Sequence, residues 1–133
     1  MKKLILDTNI CIYIIKNKPL NVRKKLESYS FGEIAISSIT VSELYYGVYK
    51  SVRQEQNLSS LNNFLSPFNI VEFDTECALA YGKIRAELEN KGQIIGSMDM
   101  LIASCSLAKD FTLVTNNLKE FKRIKGLKVE NWI

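Results

Sequence analysis

Apolar residues along this chain fall into two rhythms. Short runs at residues 3–6 (KLIL), 33–37 (EIAIS), 69–73 (NIVEF) and 112–114 (TLV) are separated by longer stretches in which apolar positions return every three or four residues. The runs have strand length and polar or turn-forming borders, so they predict buried strands, with a fifth at residues 128–130. The longer stretches predict helices over residues 9–16, 22–29, 40–52, 54–65, 75–91 and 98–109.

Capping chemistry supports these elements. Ser38 or Thr40 is placed to cap the third helix, with Glu43 three residues past Thr40 in a capping-box position, and Asp74 or Thr75 to cap the fifth. Gly92 follows the fifth helix as a C′ residue. Strands alternating with helices predict an α/β fold in three layers, a mostly parallel sheet of four to five short strands flanked by helices. No repeat or low-complexity linker interrupts the pattern, so residues 1–133 are expected to form a single domain. In such a sheet the functional crevice lies beyond the carboxyl ends of the strands.

Composition narrows the chemistry. The chain contains no histidine, which removes Ser-His-Asp and Cys-His triads, histidine acid–base pairs and imidazole zinc sites. Activity should then lack a histidine-like step near pH ~6.5. Cys11, Cys77 and Cys105 are widely spaced among apolar neighbours, without a CxxC pair, and are expected to be reduced, buried hydrophobes. The longest apolar run, residues 10–15, is far short of the roughly 20 residues that span a bilayer. Asp7 and Asn9 follow Met1-Lys2-Lys3 too closely for a secretory leader, so a cytoplasmic protein is expected. Charge is uneven: residues 1–25 carry seven Lys/Arg against one acid, residues 26–118 six against eleven, and residues 119–128 five against one. Basic ends around an acidic middle suit either a polyanion held near a metal site or ordinary solvated faces.

The acids occupy telling positions. Asp7 directly follows the first strand and precedes Thr8 and Asn9, an arrangement suited to cation ligation or to helix capping. Glu43 lies in the first turns of a helix that leaves the second strand. Asp99 is the only charged residue between Gln93 and Ala108, in an apolar helix whose burial would demand a cation, a donor network or a proton. Thr115, Asn116 and Asn117 follow the fourth strand, with Glu120 one turn further on. Acids or amides thus follow four strand ends that this fold gathers at one edge. Clustered carboxylates repel unless a cation neutralises them, and an all-oxygen donor set favours Mg²⁺ or Mn²⁺. Such an ion can polarise a phosphodiester and activate water. The residues therefore point to a metal-dependent phosphodiesterase or nuclease.

Five segments in order, LDTN at residues 6–9, SITVSELYYG at 38–47, IGSMDMLIA at 95–103, LVTNNLKEF at 113–121 and GLKVENW at 126–132, resemble the PIN-domain ribonucleases, specifically the VapC-type toxins of bacterial toxin–antitoxin pairs. The resemblance implies that Asp7, Glu43 and Asp99 are the acidic metal-site residues, with Thr8, Asn9 and Thr115 in support. Many family members carry a fourth acid where this chain has Asn117; Asn117 could hold a water there, Glu120 could substitute, or a single tightly held Mg²⁺ could suffice. The resemblance further implies Mg²⁺-dependent cleavage of RNA, with tRNA in the anticodon region as a target, a homodimer and larger toxin–antitoxin assemblies. It also implies inhibition by a cognate VapB-type antitoxin, for which Tyr45, Tyr46 and Tyr49, with Phe64 or Leu65, could line a groove. The departure at Asn117 leaves an alternative: an RNA- or protein-binding module on the same fold without catalysis. A phosphoryl-transfer enzyme with Asp7 as nucleophile is weaker, because no Asp-x-Asp pattern or Gly-rich phosphate loop is present.

Overall fold

The computed structural model describes residues 3–133. Five strands, β1 (Leu4–Leu6), β2 (Ile34–Ser37), β3 (Asn69–Val71), β4 (Thr112–Val114) and β5 (Lys128–Glu130), form one sheet in the order β3-β2-β1-β4-β5, with every pairing parallel. Parallel neighbours need crossover connections, and helices supply most of them. These are α1 (Thr8–Lys16), α2 (Leu20–Glu27), α3 (Ser38–Tyr49), α4 (Gln54–Leu65), α5 (Thr75–Asn90), α6 (Ser97–Ala108) and the one-turn α7 (Leu118–Phe121).

The unbroken apolar runs follow from burial on both sheet faces. Leu4 and Leu6 of β1 enter one layer with Ile10 and Ile14 of α1, Val22 of α2, Leu44 of α3 and Leu61 of α4. Ile5 points the other way, against Ile84 and Leu88 of α5, Met100 and Ile102 of α6 and Phe121 of α7. All three β1 side chains are fully buried, each contributing roughly 1.5–3 kcal/mol of transfer free energy. Cys11, Cys77 and Cys105 are buried and free, as small hydrophobes within these layers. Among the described residues no helix is long and apolar enough to cross a membrane.

Several local expectations are corrected. The N-cap of α3 is Ser37, not Ser38 or Thr40; its hydroxyl accepts the Thr40 N–H at 3.1 Å. Glu43 does not close a capping box on Thr40, because Thr40 lies inside the helix that Ser37 caps; its Oε1 accepts from Thr8 instead. The third strand stops at Val71, since the Phe73 N–H leaves the ladder for the Ser38 hydroxyl at 3.1 Å. Helix α3 ends at Tyr49, short of Val52, where the Ser51 amide and hydroxyl both turn back to the Val48 carbonyl. Asp74 does cap α5, accepting from the Cys77 N–H at 3.1 Å, and Gly92 follows its last turn at φ +66, a left-handed conformation that favours glycine.

The sheet order sets the crevice. The chain winds from β1 outward through β2 to β3, then crosses back to place β4 on the other side of β1. The carboxyl ends of β1 and β4 therefore flank a topological switch point, where side chains diverge and a ligand has room. Asp7 and Thr115 are the residues that follow those two strands.

Candidate functional site

Asp7 has two jobs at the end of β1. Its Oδ1 accepts the Ile10 N–H at 2.9 Å and so caps α1, while the Thr115 hydroxyl hydrogen-bonds the same carboxyl group. Only 4% of its surface is exposed. Burial is the largest influence on its titration, and the nearby Asp99 and Glu43 charges add to it; against the two hydrogen bonds they raise its pKa from 3.8 to about 6.

Asp99 reaches the same region from the first turn of α6. Its pKa is also raised, first by desolvation and then by the charges of Glu120 and Glu43. Its helix buries Met100, Ile102, Ala103 and Cys105, which fixes the backbone that carries it. Glu43 comes from α3, and its Oε1 accepts the Thr8 hydroxyl proton at 2.5 Å. Thr8 has one proton to give, so its 3.3 Å contact with the buried Thr40 hydroxyl is completed by a proton from Thr40. Ser37, at 3.4 Å from Thr40, extends this chain of hydroxyls to the end of β2.

Beyond β4 the backbone turns sharply. Thr115 is fully buried and its hydroxyl accepts the Asn117 N–H at 2.9 Å. The Asn117 side-chain amide donates to Glu120 Oε2 at 3.2 Å, on the short helix α7. The two residues that the sequence offered as alternatives for the fourth position are therefore joined: Asn117 orients Glu120, and Glu120 is, with Glu43, one of the two acids whose charge acts on Asp99.

The structure thus brings Asp7, Glu43, Asp99 and Glu120 to one end of the sheet, with Thr8, Thr115 and Asn117 holding three of them. Asn9 is exposed on the first turn of α1. It lines a cleft of about 670 Å³ with Thr8, Glu43, Lys16, Lys50 and Tyr46. Of the three tyrosines only Tyr46 lines this cleft, with Lys50 5.1 Å above its ring. Tyr45 instead packs on the core and donates to Asn62 Oδ1 at 2.9 Å, and Tyr49 is exposed near the end of α3. Phe64 and Leu65 also pack against the core. Asn116, expected as a donor at the end of the fourth strand, donates its side-chain amide to the Tyr13 hydroxyl at 2.9 Å; Tyr13 was not anticipated from sequence, and the bond ties α1 to the turn after β4.

Among the described residues no Lys or Arg forms an ion pair with any of the four acids. No three acidic or cysteine side chains there are drawn closely enough to cage an ion. The acids feel one another's charge without converging on one point. Like charges of this kind, without a countercharge and presenting only oxygen donors, fit a hard divalent cation.

The PIN domain family model matches residues 4–127. The chain is 53% identical over 129 residues to ribonuclease VapC2 of Rickettsia felis, covering 96% of each sequence. It is 43% identical over 132 residues to the tRNA(fMet)-specific endonuclease VapC of Salmonella typhimurium, covering 99% of each. Among solved structures it is similar to VapBC2 from Rickettsia felis bound to a promoter DNA fragment, with a TM-score of 0.90, 50% identity and 98% of each chain covered. It is also similar to DNA-bound VapBC from Salmonella typhimurium, with a TM-score of 0.94, 43% identity and 100% of each chain covered. With the sheet order, the acids at the switch point and this similarity along nearly its whole length, the chain belongs to the PIN-domain family, among its VapC ribonucleases.

Proposed function

We propose that the chain is the toxin of a toxin–antitoxin pair and an endoribonuclease that hydrolyses phosphodiester bonds of tRNA in the anticodon region, with Mg²⁺ as its ion and Mn²⁺ as a substitute. The observation that carries this reading is that four acids stand at one end of the sheet, near enough for their charges to act on one another, with no cationic partner among the described residues. Asp7, Asp99 and Glu43 would hold the ion, and Glu120 completes the acidic set in place of the acid that Asn117 lacks. When bound, the ion supplies Lewis acidity toward the phosphodiester and its attacking water.

The chain's own groups supply orientation. Thr115 and the Ile10 N–H fix the Asp7 carboxylate, and Thr8 fixes Oε1 of Glu43, leaving Oε2 available. Asn117 holds Glu120 through Oε2 in the same way. With Glu120 in place, the substitution at Asn117 no longer favours a binding-only module.

Relatives solved as VapBC complexes support a VapB-type antitoxin as partner; a homodimer, larger toxin–antitoxin assemblies and a cytoplasmic location belong to the same reading. Residues 1–133 act as one domain in this reading. The test is cleavage of an initiator tRNA transcript by the antitoxin-free chain. Cutting should require Mg²⁺, stop with EDTA and fall at least about 100-fold in Asp7→Asn and Asp99→Asn, the upper range for disturbing a metal site's supporting groups. Full activity in either variant would remove the assignment.

A further inference from the structure

Lys16 and Lys50 line the cleft beside Thr8 and Glu43, and residues 119–128 add five cations against one acid. Folding gathers part of that charge in a second groove, of about 300 Å³, between α5 and the segment after α7. Lys83 lines it from α5, and Arg123 and Lys125 line it from the opposite bank, over a buried apolar floor that includes Ile84 and Leu88. The one acid on its wall, Glu87, is already paired with Lys91 at 2.8 Å. Lys83 and Lys125 are exposed and make no ion pair among the described residues.

The groove is mechanically continuous with the acids. Arg123 Nη1 donates to the Ile94 carbonyl at 3.2 Å, binding the basic segment to the loop that leads into the first turn of α6, where Asp99 sits. Glu120 lies three residues before Arg123 on the same short connection. Leu107, which also lines the groove, lies eight residues after Asp99 on α6, about 12 Å further along that helix, so the bank faces phosphates further along a strand held at the acids and not the one being cut.

We propose that the Lys83–Arg123–Lys125 groove is the docking surface for the sugar–phosphate backbone of the RNA substrate. This rests on the ribonuclease reading above and adds to it where the rest of the RNA lies. The cations act on phosphates, so they supply affinity and register without reading sequence.

The experiment measures binding of a fluorescent initiator tRNA transcript to the full chain carrying Asp7→Asn, across a salt series, with and without Lys83→Gln plus Lys125→Gln. Removing two phosphate contacts should flatten the slope of log K against log salt by about 1.5 and weaken binding several-fold at low salt. In the otherwise wild-type chain the same pair should raise KM and leave kcat unchanged. Lys83 and Lys125 are exposed side chains, so an unchanged melting temperature is expected; Arg123→Gln provides a third point, with its Ile94 bond also lost. An unchanged salt slope in the double variant overturns the proposal. So does loss of antitoxin binding with tRNA binding intact, which would give the groove to a protein partner. If the wild-type chain cuts no RNA with any divalent ion, the function reading falls separately, while the salt slope still judges the groove.

Discussion

The Thr8 hydroxyl donates to Glu43 Oε1 at 2.5 Å, fastening the start of α1 to the second turn of α3 across 35 residues. That bond stands in place of the local capping box expected from the sequence and fixes a carboxylate at the crevice. Thr8→Val keeps the shape and removes the donor. Divalent-ion affinity measured by calorimetry should fall roughly 10–100-fold, while Thr8→Ser should stay near the starting value. Equal affinities for the three chains would show that the bond is incidental.

Stability of the metal-free protein should depend on pH through Asp7. Its folded pKa is about 6 against 3.8 ordinarily, so the fold favours the protonated form. The resulting stabilisation is fully present below pH 3.8 and is lost as pH rises through about 6. The size is of order 3 kcal/mol. Asp74 behaves oppositely: Lys109 at 2.5 Å holds its pKa near 2, so that contribution is present above the ordinary value and is lost as pH falls through about 2. Between pH 5 and 7.5 the Asp7 term should dominate, and EDTA-treated chain should melt higher at pH 5. Saturating Mg²⁺ should flatten the difference.

Asp7→Asn should separate stability from activity. The amide oxygen can still accept the Ile10 N–H, so the α1 cap survives, but the buried charge is gone. The metal-free variant should gain about 1–3 kcal/mol at pH 7.5 while cleaving no RNA. A melting temperature below that of the parent would mean that the charge is already neutralised within the protein.

The pair Asn117 and Glu120 yields a charge test. Asn117→Asp exchanges a 3.2 Å hydrogen bond for a like-charge contact. The metal-free melting temperature should drop, and the rise on adding Mg²⁺ should exceed that of the parent. An unaltered metal response would place Glu120 outside the ion's reach.

Much of this architecture is legible in the sequence because it rests on local signals. Strands β4 and β5 and helix α4 match their predicted limits, since polar or turn-forming residues bracket each one. Asp7 and Asp99 were identifiable because one follows an apolar strand and the other is a lone charge in an apolar helix. Helix α7 was not, as four residues are too few for periodicity to register. The Thr8–Glu43 and Asn117–Glu120 bonds were hidden for different reasons. The first joins residues whose nearness depends on sheet order, and the second requires the Thr115 turn to aim Asn117 at its partner. The absence of histidine also proved an incomplete guide to titration, since burial gives Asp7 a pKa close to the imidazole range.

The position of β1 bears on the order in which the site is completed as the chain is made. This strand is translated early, yet it is central, and its neighbour β4 starts at Thr112, which pairs with Leu4. Until β4 has been synthesised, Asp7 lacks the Thr115 hydroxyl and Asp99 lacks Glu120. A partly translated chain thus carries Asp7 and Asp99 without the Thr115 hydrogen bond and the Glu120 charge that act on them in the finished fold.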